Sequence, residues 1–445
     1  MASRKKIQVS EFLTERVGRY KPNDPAVANL KRLDKIDFSG KMHFSTKSSK
    51  TDMIIAKKGD LVISGINVAK GALAVYEGDD DITATIHYSS YQFDNKKIDV
   101  EYFKRFLKSP KFIQLLKDQV KGGIKTEIKP KHLLPLKIDL PDLDTQKSIV
   151  SFFKRIENEI DELNNEIDRQ QSILKQLRQA ILQEAVEGKL TAAWREQHPE
   201  LISGENHAAR LLEKIKAEKE KLTKDTKGTK KFKELPPISE DEKPFDLPDG
   251  WVWSRLLDLG LINPRNHISD EIVVSFSPMN LIPVEYGKEI KFEKRKWEKV
   301  KSGFTHYRND DVLIAKITPS FENGKSVVAR NLINGYGAGT TELHVFRCNT
   351  KFLNPNYVLI YFKTPKFLLE GEMKMTGTAG QKRVPKSYIS ENPFPLPPLA
   401  EQQVIVDKVD VLMAKIDVLE EQVKKSKAQA EQLMQTVLRE AFNGD

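Results

Sequence analysis

A long amphipathic helix is the feature that most constrains this chain. From about residue 144 to residue 188 the apolar positions are separated by alternating steps of four and three, which is the heptad pattern of a coiled coil. At a rise of about 1.5 Å per residue, roughly 44 residues make a rod of about 65 Å. Such a rod exposes an apolar stripe to water unless another helix covers it. The sequence therefore predicts a second long helix as its partner.

An internal repeat supplies this second helix. A shift of 256 positions aligns residues 140–146 (LPDLDTQ) with residues 396–402 (LPPLAEQ), and the match continues without a gap to the end. In both helices the heptad pattern of apolar residues is interrupted at the equivalent position, at Gln170 and at Ser426, which indicates a duplication. The predicted coiled-coil seam comprises Ile149, Phe153, Ile156, Ile160, Leu163, Ile167, Leu174, Leu177 and Ile181 in the first copy, and Ile405, Val409, Leu412, Ile416, Leu419, Val423, Ala430, Leu433 and Val437 in the second. The two helices can pair within one chain or between two chains, and the sequence leaves both arrangements open.

Composition limits the class of protein. A chain of 445 residues with 39% hydrophobic and 31% charged residues is typical of a folded protein with several units. It has no run of eighteen apolar residues, no apolar stretch at its start, and one cysteine, Cys348, so we expect no membrane span, no signal peptide and a cytoplasmic location. The net charge of +10 favours an anionic partner, although a solvated lysine-rich surface also produces such an excess.

The helical repeats alternate with two globular segments. Residues 1–142 combine short strand-like runs with a helical stretch interrupted by Pro110, which predicts an α+β domain. Residues 247–397 repeat this outline, since the segment 311–315 matches 60–64 and the segment 361–367 matches 106–112. Between them, residues 201–246 are strongly charged, and the stretch 223–231 is interpreted as a mobile linker or as a phosphate-binding arm. The predicted organisation is domain 1–142, helix 143–200, linker 201–246, domain 247–397 and helix 398–445.

No motif in the sequence supports catalysis or metal binding. The segment 319–326 has the end of a phosphate-binding loop, but Pro319 replaces its first glycine and Asn323-Gly324 predicts a hairpin turn. The segment 354–357 (NPNY) is close to a base-binding motif of adenine methyltransferases, yet the repeat explains it as the start of a helix. The histidines lack ligand spacing, so His306 and His344 are expected to be ordinary packed or surface residues.

Several motifs together resemble a known family. Each domain ends in the Leu-Pro-x-Leu-x-x-Gln motif at 140–146 or 396–402, and each long helix ends in Glu-Ala-x-x-Gly at 184–188 or 440–444. With the segments 190–195 (LTAAWR), 201–206 (LISGEN) and 247–251 (LPDGW), this arrangement resembles the DNA-specificity subunit of type I restriction-modification systems over the full length. The resemblance is weak inside the two domains.

The resemblance implies a fold, a function and partners. The fold would contain two homologous α/β target recognition domains separated by two long helices in an antiparallel coiled coil, with an internal pseudo-twofold repeat. Each domain would bind one half of a bipartite site on double-stranded DNA, and the coiled coil would set the spacing between the halves. The implied partners are two methyltransferase subunits, which use S-adenosylmethionine to modify adenine N6, and restriction subunits, which use ATP and Mg²⁺. This chain itself would be non-catalytic.

Polar residues on loops are the candidate DNA contacts. Lysines would neutralise phosphates, and amides and hydroxyls at loop tips would read base edges. In the first domain the candidates are Ser64, Asn67 and Lys70 after a predicted strand, and Lys125 and Thr126 after a glycine pair. In the second domain they are Lys316, Thr318, Asn323, Lys325, Gln381, Lys382 and Arg383.

Two further questions stay open at the level of sequence. Gln146 and Gln402 of the repeated motif can cap the long helices or contact a partner subunit. The alternative function is a coiled-coil adaptor with two protein-binding domains and no role on DNA. Sequence-dependent, salt-sensitive DNA binding would separate the two functions, because an adaptor has no such property.

Overall fold

The computed structural model describes residues 4–45, 49–119, 128–224, 235–378 and 380–443. The chain divides into two compact units. The first unit contains Met1–Asp168 and Lys424–Asp445, and the second contains Arg169–Val423. Within the described ranges, no helix is long and apolar enough to cross a membrane.

The first unit contains a domain of short strands and helices followed by a long helix. The strands are β1 (Arg4–Gln8), β2 (Leu13–Glu15), β3 (Lys31–Ile36), β4 (Met42–Ser45), β5 (Met53–Ala56), β6 (Leu61–Ser64), β7 (Leu73–Val75), β8 (Ile82–Thr85), β9 (Tyr88–Phe93) and β10 (Lys137–Pro141). The helices are α1 (Val100–Lys108), α2 (Pro110–Gln119), α3 (Pro130–Leu133) and α4 (Leu143–Val186). Pro110 begins α2 because proline is tolerated in the first turn of a helix, so the predicted interruption is confirmed.

The strands of the first domain form two four-stranded sheets and a ribbon. The sheet orders are β2-β9-β6-β7 and β4-β3-β8-β5, while β1 pairs with β10. Within the second sheet, β3 and β8 are parallel and the other neighbours are antiparallel. The buried side chains of α1 pack against the first sheet and against the start of α4, so sheet, helix and long helix share one core.

The second unit contains the corresponding elements. Its helices are α5 (Ala192–Gln197), α6 (Ala208–Lys224), α7 (Leu256–Leu259), α8 (Pro355–Phe362), α9 (Pro365–Met373), α10 (Lys386–Glu391) and α11 (Leu399–Asn443), of which α11 continues into the first unit. Its strands are β11 (Val252–Arg255), β12 (Gly260–Ile262), β13 (Val273–Ser277), β14 (Glu293–Lys296), β15 (Thr305–Arg308), β16 (Val312–Ala315), β17 (Ser326–Val328), β18 (Tyr336–Gly339), β19 (Leu343–Cys348) and β20 (Pro393–Leu396).

The two domains have the same strand topology. The sheet orders of the second domain are β12-β19-β16-β17 and β14-β13-β18-β15, and β11 pairs with β20. Each order repeats that of the first domain with every strand ten places later, including the parallel pair, which is here β13 with β18. The predicted homology of the domains is therefore confirmed, and it extends through the middle of each domain, where the sequences differ most.

A buried aspartate occupies equivalent positions in the two domains, whereas its arginine partner lies on different strands. Asp60 and Asp311 each precede the equivalent strands β6 and β16, and both are buried. Asp60 accepts hydrogen bonds from Arg16, which follows β2, at 2.5 and 2.8 Å. Asp311 accepts them from Arg347 of β19 at 2.8 and 2.7 Å. Because β2 pairs with β9, and β12 with β19, the arginine has changed to the neighbouring strand while the ion pair is kept.

The long helices run antiparallel in each unit. In the first unit Phe442 of α11 stacks on Phe153 of α4 with ring centroids 5.8 Å apart, and Lys427 lies 3.3 Å from Asp168. In the second unit Arg178 of α4 forms ion pairs with Asp417 and with Glu420 of α11. Residues of increasing number in α4 therefore contact residues of decreasing number in α11. The helices pair within one chain, which answers the question that the sequence left open.

One row of the predicted seam is covered more completely than the other. The buried members of α4 recur every seven residues and are Phe153, Ile160, Ile167, Leu174 and Ile181. The buried members of α11 are Ile405, Val409, Ile416, Val423 and Ala430. Ile149, Ile156, Leu412 and Val437 are half-buried. Leu163, Leu177, Leu419 and Leu433 are 42–47% exposed. Two helices alone thus leave part of the apolar stripe accessible to solvent.

Candidate nucleic-acid interface

The glutamines of the repeated motif attach each domain to its long helix. Gln146 is buried, and its Oε1 accepts from the backbone N–H of Asp99, the N-cap of α1, at 2.7 Å. Its Nε2 donates to the carbonyl of Pro141 at 2.8 Å. In the second unit Gln402 accepts from the N–H of Asn354, the N-cap of α8, at 2.8 Å and donates to the carbonyl of Pro397 at 3.2 Å. These side chains therefore satisfy backbone groups of their own domain, not the first turn of the long helix.

A buried carboxylate joins the segments that carry the other motifs. Glu401 at the start of α11 is fully buried, and its Oε1 accepts from Thr191 Oγ1 and from Arg195 Nη1, both at 2.6 Å. Its Oε2 accepts from Trp251 Nε1 at 2.7 Å. Three donors compensate the loss of hydration of this charge. The segments 190–195 and 247–251 are thus held against the first turn of α11.

The two predicted DNA-contacting loops of the second domain lie together. The N–H of Thr318, on the loop after β16, donates to the carbonyl of Lys382 at 3.0 Å. The N–H of Val384 donates to the carbonyl of Lys316 at 2.8 Å. These bonds continue the ladder beyond the end of β16, so side chains that are about 65 residues apart in the sequence share one surface.

The tips of these loops present polar side chains to solvent. Asn323, Gln381 and Lys382 are exposed. Asn323 and Gly324 lie near the end of the connection, residues 316–325, that joins the antiparallel strands β16 and β17, and Gly324 has a φ of 71°. The hairpin pairing is confirmed, but its connection is longer than a two-residue turn. An amide side chain offers a donor and an acceptor to a base edge, and a lysine offers charge to a phosphate.

Arg383 is held by an acid. Its Nε and Nη2 donate to the two carboxylate oxygens of Glu342, each at 2.9 Å, and its Nη1 donates to the carbonyl of Gln381 at 3.1 Å. The hydrogen bonds from Arg383 lower the pKa of the Glu342 carboxyl. The guanidinium therefore has a fixed orientation beside the exposed Gln381.

The other candidates of the second domain are more enclosed. Lys325 Nζ donates to the carbonyl of Met279 at 2.9 Å, so this ammonium group already has a partner within the domain. Lys316 and Thr318 are half-buried. Thr318 Oγ1 is shielded from solvent and has no hydrogen-bond partner in the described ranges. These side chains are less accessible to a nucleic acid than the loop tips.

The first domain places its described candidates at the end of β6. Ser64 is buried, Asn67 is half-buried, and Lys70 is exposed with its Nζ 5.6 Å from the centroid of the Phe38 ring. Lys70 therefore has the accessibility expected of a phosphate contact. Ser64 is enclosed by the sheet, where its N–H donates to the carbonyl of Ala72 at 2.9 Å.

The second candidate loop of the first domain lies only partly within the described residues. Lys125 and Thr126 fall outside them. The next described residue, Ile128, donates its N–H to the carbonyl of Gly65 at 2.8 Å. This bond is the counterpart of the bond from Val384 to Lys316 in the second domain, so the same loop pairing recurs beside β6.

The sequence analysis missed a basic edge strand. The four residues of β14, which include Lys294, Arg295 and Lys296, are exposed at the edge of the second sheet. The guanidinium of Arg295 lies 3.8 Å from the centroid of the Phe276 ring, which restricts its orientation. Three consecutive basic residues, 294–296, were the available signal in the sequence. Their position at the edge of the sheet makes them candidates for phosphate contacts.

The described residues show no group of acids, cysteines and histidines that could hold a metal ion. His344 Nε2 lies 3.0 Å from the carbonyl of Val384, and His306 Nε2 lies 3.0 Å from the carbonyl of Lys301. Burial lowers the pKa of each histidine to about 4. Both histidines are packed residues, as expected.

Asn354 caps α8 by accepting from the N–H of Asn356, as predicted for the start of a helix.

Comparison with known proteins identifies the family. The model of the type I restriction modification DNA specificity domain matches residues 27–171 and 248–426, which is more than half of the chain. The chain therefore belongs to the type I restriction-modification DNA specificity family. The first matched segment covers the first domain from before β3 onward, the second covers the second domain, and each includes the start of a long helix.

Individual relatives agree with this assignment. The chain is 47% identical to the specificity subunit of the type I restriction enzyme EcoAI of Escherichia coli over 266 residues, which cover 60% of this chain and 44% of that protein. The match thus spans less than half of the relative's length. Two solved structures share the fold. The HsdS subunit of Thermoanaerobacter tengcongensis has a TM-score of 0.53 at 17% identity, covering 100% of this chain and 97% of that one. A chain of a type I R-M system, solved to explain complex assembly and conformational transition, has a TM-score of 0.63 at 16% identity, covering 100% and 98%.

Proposed function

We propose that this chain is the DNA-specificity subunit of a type I restriction-modification system. Each target recognition domain binds one half of a bipartite site on double-stranded DNA. The observation that carries the proposal is the identical strand topology of two domains with divergent sequences, each attached by a glutamine to a long helix. One scaffold with two different surfaces suits the recognition of two different half-sites. The proposed domain limits are those from the sequence, 1–142 and 247–397, with a linker at 201–246. The segments 143–200 and 398–445 contain the long helices α4 and α11, and α4 itself ends at Val186.

The exposed loop tips are the proposed base-reading elements. Asn323 and Gln381 have the amide groups that recognise base edges, and Lys382 and Lys70 have the charge that binds phosphates. The same role is proposed for Asn67, Lys125 and Thr126 of the first domain. Arg383, oriented by Glu342, is placed to support Gln381.

The long helices are proposed to set the distance between the two half-sites. A pair of helices of 44 and 45 residues is stiff, because each backbone is hydrogen-bonded internally and the buried row recurs every seven residues. A fixed length between the recognition surfaces then becomes a fixed number of unread base pairs.

The proposed partners supply the chemistry. Two methyltransferase subunits bring S-adenosylmethionine and modify adenine N6, and restriction subunits bring ATP and Mg²⁺ for translocation and cleavage. The related Escherichia coli protein carries the name of a type I restriction enzyme specificity subunit, which supports an assembly of this kind. We assign no catalytic step to this chain, and its place of action is the cytoplasm, where the DNA is.

The decisive experiment maps N6-methyladenine by long-read sequencing in a host that expresses this chain with the methyltransferase encoded beside it. The expected result is a two-part methylated motif with a fixed gap, which disappears when this chain is omitted. A Lys382→Ala variant should weaken DNA binding and reduce its salt dependence, because one phosphate contact is lost.

The outcome that contradicts the proposal is equally clear. If the methyltransferase is active and bound to this chain but no new methylated motif appears, the chain is an adaptor with two protein-binding domains.

A further inference from the structure

A lysine at the end of α8 is almost completely enclosed in the second domain. Lys363 follows Phe362 directly and is only 7% exposed. Lysine is rarely buried to this extent, because its ammonium group loses hydration. The Nζ of Lys363 donates to the carbonyl of Val284 at 2.6 Å and to that of Gly324 at 3.0 Å. Its hydrogen-bond partners are thus two backbone carbonyls.

The two carbonyls belong to separate loops. Gly324 lies in the turn between β16 and β17, next to Asn323, which is one of the proposed base-reading residues. Val284 lies in the segment that precedes β14. One ammonium group therefore connects the end of α8, the β16–β17 turn and a third segment. A side chain without donors could fill the same volume, but it could not hold either carbonyl.

The first domain has a lysine in the equivalent place. Lys108 is the last residue of α1 and is followed by Ser109-Pro110, as Lys363 is followed by Thr364-Pro365. It packs against Gly71, since a Cβ added to Gly71 would lie 3.1 Å from Lys108 Cε and 3.4 Å from its Nζ. Gly71 stands two residues before β7, as Gly324 stands two residues before β17.

The contact between this lysine and the glycine recurs although the two turns are otherwise different. The β6–β7 turn spans residues 65–72 and the β16–β17 turn spans residues 316–325, so they differ in length and sequence. In each domain the lysine at the end of the helix nevertheless reaches the glycine at the end of the turn. Burial lowers the pKa of both lysines, which agrees with their enclosure.

We propose that Lys108 and Lys363 are positioning residues that fix the β6–β7 and β16–β17 turns, so that the side chains at the tips of these turns meet DNA in one orientation. This inference rests on the proposed function. The lysines do not touch DNA. They restrict the conformations of the loops that do, and they therefore affect discrimination between sequences more than general affinity for DNA.

The test is methylation mapping with Lys363→Met and Lys108→Met in the complete complex with its methyltransferase. Methionine has a similar length and no donor. Lys363→Met therefore removes the hydrogen bond to the β16–β17 turn, and Lys108→Met removes the ammonium group beside Gly71, while the volume stays filled. We expect Lys363→Met to relax the base preference in one half-site, with at least a tenfold fall in discrimination against a single base change. Lys108→Met should relax the other half-site. Lys366→Met, three positions further on and 41% exposed, is the matched control and should leave the motif unchanged.

The result separates positioning from general destabilisation. A variant that is merely less stable lowers methylation at all sites without changing the motif, and this outcome in both variants would overturn the proposal, as would unchanged motifs at normal methylation. If Lys363→Met does not fold, Lys108→Met decides, because Lys108 is only half-buried. Failure of the proposed function is distinguishable, since the unsubstituted chain would then direct no bipartite methylation.

Discussion

At the scale of single residues, the buried charges of Glu401 and Lys363 in the second unit are compensated in different ways. Glu401 has three donors from three segments, including the guanidinium of Arg195. Lys363 has two carbonyl acceptors and, among the described residues, no carboxylate within hydrogen-bond distance. An ion pair with good geometry restores most of the lost hydration, whereas carbonyl dipoles restore less. The two sites therefore respond to substitution in different ways.

The carboxylate of Glu401 can be tested with Glu401→Gln. The amide nitrogen would face one of the three donors, and Arg195 would lose its counter-charge, so we expect the free energy of unfolding to fall by about 3 kcal/mol. The four tryptophans, at 194, 251, 253 and 297, all lie in the second unit, so their fluorescence during urea unfolding follows this unit. Glu421→Gln, at an exposed position of α11, is the control. Equal losses for both variants would contradict a structural role for the buried network.

The enclosure of Lys363 predicts a dependence of stability on pH. Burial lowers the pKa of Lys363 to about 7 from an ordinary value of 10.5, so between these values the unfolded chain binds more protons than the folded chain. The free energy of unfolding should therefore rise from pH 7 to pH 8.5, by at most about 2 kcal/mol from this group. Lys363→Met should show a smaller rise by that amount in urea unfolding at each pH. Lys219, whose pKa burial also lowers, contributes equally to both proteins and cancels. Parallel pH profiles would contradict a lowered pKa of Lys363 in the folded protein.

At the scale of secondary structure, each long helix is attached to its domain by the same glutamine geometry. Gln146 and Gln402 each bond the N-cap backbone of a domain helix and the carbonyl five residues earlier. The N-cap residues, Asp99 and Asn354, in turn accept from the first turns of α1 and α8. Two helix starts are thus joined by one side chain, which couples the direction of the domain helix to that of the long helix.

Gln402→Leu should weaken this attachment without removing apolar contacts. The N–H of Asn354 would lose its acceptor in a partly buried site, which costs about 2 kcal/mol. The amide of Asn354 should then exchange with deuterium about 30-fold faster under native conditions. Gln422→Leu changes the same residue type at an exposed position of α11 and should leave this amide unaffected. An unchanged rate in Gln402→Leu would mean that the glutamine does not hold the junction.

Elements with long regular periods could be predicted from the sequence, whereas pairings between distant segments could not. The heptad pattern predicted α4 and α11 to within a few residues, because many positions contribute to one signal. Strands such as β7 and β17 have three residues, so their neighbours depend on tertiary contacts. The candidate site shows the same limit. Lys325 was predicted to contact DNA from its loop position, but its partner, the carbonyl of Met279, lies 46 residues away and carries no local signature. The pairing of Arg383 with Glu342 over 41 residues was equally inaccessible.

At the scale of the whole molecule, the internal duplication determines how the chain can work. Both domains keep one topology, and in each unit the end of one long helix lies beside the start of the other. The core of the first domain includes side chains of both long helices, as in the contact of Phe442 with Phe153. Within this unit the register of the two helices is therefore constrained by packing.

An insertion of four residues in α4 after Gln170 tests the proposed spacing. One extra turn lengthens the helix by about 6 Å and rotates the remainder of α4 by about 40°. We expect the gap in the methylated motif to change while both half-site sequences are kept. Four alanine substitutions at exposed positions of the same turn preserve the length and should preserve the gap. If the lengthened helix gives the original gap, the helices do not determine the spacing.

The ribbons β1–β10 and β11–β20 have a consequence for how such chains diversify. In the second domain, Val252 faces Leu396 across an antiparallel pair, so the polypeptide enters and leaves the domain at the same point. The first domain does the same, with Arg4 opposite Pro141. A contiguous stretch of gene therefore encodes a module whose two ends are side by side. Recombination at both ends of this stretch can therefore exchange the whole surface of one domain without altering the long helices.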